Sequence, residues 1–257
     1  MGYWSVLWGL VLSLLILYRH KDLKENSKNI IVFIIASVLT YFSAFRMGLG
    51  QDYENYKKVI FENSREYTFI EPVYTLLVKS VYFLNSTEVL FFLVYALITN
   101  FCIISTYKRF TNFHLMVVVY LSFSVLYFNT FNLVRQFCAA SIILWGIRYI
   151  SGRDIFKYAM VVGIASLFHL SAIICFTFYF FWRVRISNVW MVVLALTTLL
   201  YGFLGDGGGN EFFSRILLYF NIYEVYLSEE VIKEKPGLLT LFFNILLLIV
   251  TFNKNRS

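Results

Sequence analysis

Eight apolar runs constrain this chain more than any other feature. They lie at residues 3–18, 29–45, 88–107, 114–130, 133–150, 157–182, 186–204 and 237–252, and most approach the roughly 20 residues that cross a bilayer as a helix. Of the 257 residues, 60% are hydrophobic, 20% aromatic and only 14% charged, which excludes both a soluble globular domain and a disordered chain. Barrel strands would alternate in polarity, whereas VLWGLVLSLLIL and LFFNILLLIV are apolar on every face. The expected fold is all-α: one multi-pass membrane domain over residues 1–257, a helix bundle.

The first run has no basic n-region and no small-residue cleavage site, so it reads as a retained helix. Cys102, Cys138 and Cys175 stand singly inside apolar runs without CxxC spacing, which favours buried thiols over a metal site or a disulfide. The formal charge of +7 resides in short segments between apolar runs. Orientation in the membrane accounts for it, and nucleic acid is not an expected partner.

The segments YRHKDLKENSK, YKRFTN, IRYISGRDIFK, WRVR and NKNRS are basic and by the positive-inside rule face the cytoplasm. Residues 46–72 carry four basic and five acidic side chains, and 205–236 carry three and six; these two loops are expected outside. A run that begins and ends in the cytoplasm crosses an even number of times. Residues 157–182 must then bend outward near Phe168 and His169, and 73–84 must form a short helix that enters without crossing. Irregular backbone at that depth is tolerated where protein buries it or where it lines a wet cavity. The pattern thus predicts broken helices around an external polar cavity.

On this path Arg46, Asp52, Glu71, Arg135, Gln136 and His169 converge near the external face. Arg135, near the start of an apolar helix, needs a partner or a ligand unless it snorkels to the interface. Gly48 and Gly50 allow positive φ and close backbone approach. Asp52 and Glu71 are the candidate general bases; Glu71 precedes Pro72 and can alternatively serve a helix start. His169 can donate to a phosphate or satisfy a carbonyl freed by the bend. GDGGGN at 205–210 lacks the strand and helix of a dinucleotide fingerprint. Tyr219, Tyr223 and Tyr226 recur near helical spacing, suited to a sugar face or to an interfacial aromatic belt.

Four motifs in order, RMGLGQDYENY at 46–56, EPVY at 71–74, VRQFCAA at 134–140 and FHLSA at 168–172, resemble the EpsG-type family of Wzy-like bacterial polysaccharide polymerases, the makers of O-antigen, capsule and exopolysaccharide. The likeness covers residues 30–185 and extends loosely through SRILLY and GLLTLFFN, and such proteins continue for further helices beyond this length. The resemblance implies an integral glycosyltransferase of the bacterial inner membrane. It would transfer glycan from a polyprenyl-pyrophosphate-linked oligosaccharide to an acceptor sugar hydroxyl at the outer face. Membrane lipid is then a partner, as are a chain-length regulator and a flippase of the same pathway, and neither cofactor nor metal is required. Asp52, Glu71, Arg135 and His169 are the expected catalytic residues. Arg135 and Arg46 are the candidate cations for the pyrophosphate, and Asp52 and Glu71 the candidate bases. Asp52 is preferred because it follows two glycines, and Glu71 is expected to position the loop and the short helix. Arg46, Gly48, Gly50, Tyr53, Tyr56, Gln136, Arg215 and Tyr219 are assigned to substrate binding.

Two other readings compete. A membrane-bound O-acyltransferase also uses a histidine within apolar helices, here His169 with Asn132 upstream. A transporter of lipid-linked glycan would also place polar residues in a wet cavity, although no duplicated half is visible. The topology is open to a direct check with single cysteines in a background lacking Cys102, Cys138 and Cys175. An impermeant thiol reagent applied to intact cells is expected to spare Ser151→Cys, and labelling there would overturn the orientation.

Overall fold

Every element among the described residues is helical, as the apolar patterning requires. The computed structural model describes residues 2–20, 23–46, 48–50, 52–61, 71–110, 112–122 and 126–181. All belong to the first of the chain's two units, Met1–Arg183 and Val184–Ser257. The runs at 186–204 and 237–252, the loop 205–236, and Arg215 and Tyr219 with it, lie outside the described residues.

The chain forms α1 (Gly2–Tyr18), α2 (Glu25–Ala44), α3 (Tyr53–Phe61), α4 (Pro72–Phe83), α5 (Glu88–Tyr107), α6 (Phe113–Ser122), α7 (Asn129–Asn132), α8 (Val134–Ser151) and α9 (Ile155–Phe168). A 3-10 segment (Leu170–Thr177) and α10 (Phe178–Phe181) follow. Two helices, α2 and α5, combine 20 residues with mean hydropathies of 1.5 and 2.2, enough to cross a membrane. Helices α1, α2, α5, α8 and α9 pack in sequence as neighbours, with α5 between α2 and α8.

This central position gives α5 two apolar faces. Phe91, Phe92 and Tyr95 enter one core with α3, α4, α8 and α9, while Ile103 and Ile104 enter a second with α1, α2 and α6. Close contact between α8 and α9 depends on Gly146, where an added Cβ would stand 2.5 Å from a methyl of Val161; small residues allow such approach between apolar helices. Between α2 and α5 a buried polar seam joins the helices. Thr40 donates to the Ala96 carbonyl and Asn100 to the Ser43 hydroxyl, each at 3.4 Å, while Tyr120 donates to Asn100 at 3.2 Å and Tyr127 to the Leu39 carbonyl at 2.8 Å.

Three segments depart from uniform spans. The run 114–130, read as one apolar span, is divided between the 10 residues of α6 and the four of α7. Its polar members account for the division, because Tyr120 and Tyr127 reach across to α5 and α2. The run 157–182 breaks at His169, whose backbone is extended, as the expected bend requires. Residues 73–84 form the 12-residue α4, opened by Pro72 in its first turn. The loop 46–72 also holds more structure than its charge balance suggests. Within it α3 turns Tyr53, Tyr56 and Ile60 inward, an i, i+3, i+7 stripe.

The link from α2 to α3 is fastened to the break between α7 and α8. Arg46 is 1% exposed; its Nε donates to the Ser43 carbonyl at 2.9 Å and a terminal nitrogen to the Phe131 carbonyl at 2.6 Å. The guanidinium also stands 4.1 Å from the Phe92 ring and 4.9 Å from that of Phe131. Gly50 closes onto the same carbonyl: it has φ +116°, and a Cβ would lie 2.8 Å from Phe131 O. Both constraints require glycine. Gly50→Ala is therefore expected to lower stability by about 1–3 kcal/mol, more than Gly48→Ala, since Gly48 has φ +82° but nothing within 4 Å. Thermal unfolding in detergent compares the two, and equal losses would remove the Phe131 contact as the reason.

Candidate functional site

Glu71 stands at the N-cap of α4, yet its carboxylate does not cap that helix. The side chain turns inward, where it is nearly fully buried, and meets partners from two other elements. One oxygen forms an ion pair with a terminal nitrogen of Arg135, in the first turn of α8. The other lies 2.6 Å from His169 Nδ1, at the break after α9. The same oxygen accepts the Leu170 N–H at 3.4 Å. Breaking α9 frees that N–H from its helical partner, and Glu71 replaces the missing carbonyl.

Burial alone would raise the Glu71 carboxyl. The hydrogen bond from His169 and the charge of Arg135 outweigh it and hold the group below the usual carboxylate range. An ionised carboxylate only accepts hydrogen bonds, so His169 presents Nδ1–H to it.

Arg135 keeps 21% of its side chain exposed, stands 4.8 Å from the Tyr74 ring and is also bonded by Tyr56. Tyr56 itself packs against Tyr74 and Phe91 with ring centroids 6.2 and 5.5 Å apart. Tyr56, Glu71, Arg135 and His169 thus form one cluster drawn from four elements that lie far apart in sequence.

A second group adjoins it. Tyr53 donates to Glu88 at 2.6 Å and stacks on Phe92 at 5.3 Å, and Arg46 stands over that same Phe92 ring. Burial first, then the bond to Glu88, pushes the Tyr53 hydroxyl up to about 12. Protein carbonyls take the Arg46 N–H groups, and Gly50 seats against Phe131, so these residues hold the loop in place. The other candidates stand apart. Asp52 precedes α3, half-buried, with its carbonyl accepting the Tyr56 N–H at 3.0 Å. Gln136 is exposed although it follows Arg135, and Gly48 is exposed too.

Tyr95 is a residue that the sequence did not single out. It lines a small cleft with Ser43, Arg46, Thr99, Thr130 and Val134, and its ring lies 6.0 Å from that of Phe168, beside His169. Its buried hydroxyl has no hydrogen-bond partner among the described residues, an uncommon arrangement costing about 1–3 kcal/mol. One tyrosine in the aromatic run 88–107 offers no signal that would have found it. Among the described residues no group of three or more His, Cys, Asp and Glu gathers as a metal site would need. Cys102, Cys138 and Cys175 are free thiols.

Comparison with known families matches residues 29–257 to the EpsG family. The chain belongs to the EpsG family. No curated protein and no solved structure matches it. Membership in the EpsG family places the chain among membrane-associated proteins of polysaccharide biosynthesis related to glycosyltransferases. The match spans all four motifs and continues beyond the described residues.

The lowered Glu71 value makes a signed prediction. Folding favours the ionised form, so the contribution is complete above the ordinary carboxylate value of about 4.3 and is lost as pH falls through the lowered one. Glu71→Gln should cost about 1–3 kcal/mol at pH 7, discounted for the partial exposure of Arg135. The gap in thermal stability from wild type should begin to narrow as pH falls below the ordinary carboxylate value and close only beneath the lowered one. A gap unchanged by pH would show that the carboxylate's charge is not its source.

Proposed function

We propose that this EpsG-family chain polymerises lipid-linked oligosaccharide repeat units at the outer face of a bacterial inner membrane. The observation that carries this reading is the convergence of Glu71, Arg135 and His169 on one partly exposed point. Glycosyl transfer from a polyprenyl pyrophosphate asks for a cation to hold the departing pyrophosphate and a base for the acceptor proton. Both occur here, fixed by the same carboxylate.

In this mechanism His169 Nε2 takes the proton of the acceptor hydroxyl while that oxygen attacks the anomeric carbon of the donor. The bond from that carbon to the pyrophosphate oxygen breaks, and the leaving group departs with the electron pair onto the Arg135 guanidinium. Glu71 holds the imidazole in the required tautomer and stabilises its positive charge once the proton arrives. Arginine suits the cation role because its planar fork can meet a carboxylate and a phosphate with separate N–H groups. The order of segments expected from the positive-inside rule supports an outer position for this cluster, where a chain-length regulator and a flippase would be its neighbours. Asp52, at the start of α3, is the alternative base. It sits outside the cluster and has no charged partner among the described residues.

Elongation of lipid-linked repeat units in proteoliposomes, measured per molecule of folded protein, tests the assignment. His169→Ala is expected to lower the rate by about 10²- to 10⁴-fold, and Arg135→Lys by about 10²-fold or more, since an ammonium cannot reproduce the fork. Asp52→Asn should elongate within a few-fold of wild type. Loss of elongation in Asp52→Asn with a normal rate in His169→Ala would move the base to Asp52. Acyl transfer from an added acyl donor, with no longer glycan formed, would support the O-acyltransferase reading instead.

A further inference from the structure

The opposite end of the same helices carries a second set of charges that glycosyl transfer does not use. Arg148, in the last turn of α8, stands 3.7 Å from the Trp145 ring and 4.6 Å from the Tyr149 ring. It donates to the Tyr149 hydroxyl at 2.7 Å. Arg109, just beyond α5, reaches the same indole from another helix. Its guanidinium lies 5.8 Å from the Trp145 ring and donates to the Trp145 carbonyl at 3.3 Å.

Both arginines are exposed, and neither has a carboxylate partner among the described residues. The nearby acids are already engaged. Asp154 pairs with Lys157 at 2.7 Å, and Glu25 pairs with Lys108 at 3.1 Å. Lys157 itself stands 6.0 Å from the Tyr149 ring, and Arg153 occupies the turn between α8 and α9. Burial and the facing charge of Arg148 both hold Arg109 below its ordinary value. Two like charges drawn to one indole repel each other, and a bound anion relieves that repulsion.

We propose that Arg109 and Arg148 form a binding site for the phosphate of an anionic phospholipid headgroup. A lipid fits better than a soluble phosphate because exposed apolar side chains accompany these charges. Phe110 follows Arg109 with 53% of its surface exposed, and α9 presents Phe156 and Met160, 82% and 68% exposed, four residues apart on one face. Acyl chains can lie along that face while the indole and phenol rings keep the guanidinium groups at headgroup level. Basic pockets between helices at a membrane surface take anionic headgroups by this combination.

Titration of the full chain in detergent with dioleoyl-phosphatidylglycerol, followed by native mass spectrometry and thermal stability, tests the site. Dioleoyl-phosphatidylcholine and inorganic phosphate are the comparison arms. The glycerol lipid is expected to bind more tightly than the choline lipid and to raise the melting temperature. Arg109→Gln combined with Arg148→Gln should weaken that binding by about 10- to 30-fold, while Lys108→Gln, whose charge is paired, should leave it unchanged. Arg109→Gln alone, at the exposed end of α5, should lose roughly half of that effect on a logarithmic scale and serves if the double variant does not fold. Undiminished phosphatidylglycerol binding in the arginine variants would overturn the site. Equal protection by inorganic phosphate would overturn the lipid as its occupant.

Discussion

One buried carboxylate organises the described part of this molecule. Glu71 sits where α4 begins, and its two oxygens are divided between α8 and the segment after α9. A lone carboxylate at this depth would be costly, and so would a lone arginine in the first turn of an apolar helix. Each makes the other tolerable. The same carboxylate ends α9 by accepting the Leu170 N–H, so the helix break and the ion pair depend on a single side chain. Removing Glu71 leaves an uncompensated arginine and an open helix end together, whereas removing Arg135 leaves only the uncompensated carboxylate.

The loop that opens with Arg46 supports this arrangement from the other side. Arg46 and Gly50 both close on Phe131, immediately before α8, and so fix where α8 starts. The start of α8 fixes the height of Arg135. Arg46 and Gly50, expected from the sequence to bind substrate, are engaged with backbone carbonyls here and so set the placement of α8. Tyr53, stacked on Phe92 opposite Arg46, completes the clamp.

Much of this was legible in the residues because the physical signals were local. Apolar runs of about 20 residues gave α2 and α5 almost end to end. Pro72 marked the start of α4, and the inward stripe of Tyr53, Tyr56 and Ile60 was present although the loop's charge obscured it. Glu71, Arg135 and His169 were each conspicuous as polar residues at the edge of apolar runs. Their mutual contact was not legible, because it joins positions 64 and 98 residues apart, and hydropathy carries no information about which helices are neighbours. The division of 114–130 was hidden for the same reason. Its tyrosines count as apolar in a hydropathy window, and only their hydroxyl partners on α2 and α5 reveal a polar seam. Tyr95 was invisible in principle, since nothing distinguishes its hydroxyl until the surrounding packing is known.

Helix α8 joins the two charged ends of the molecule, and its length sets their separation. From Arg135 to Arg148 is 13 residues, or roughly 20 Å of helix rise. The hydrocarbon interior of a bilayer is about 30 Å thick. Cations anchored at both ends of so short a span draw the two headgroup layers toward each other, and α4, α6 and α9 are shorter still. If α8 crosses the membrane as the proposed function requires, the bilayer would thin around it. A lipid-linked pyrophosphate of the proposed kind would then keep its long tail in hydrocarbon while its charged head reaches the level of Arg135 and Glu71.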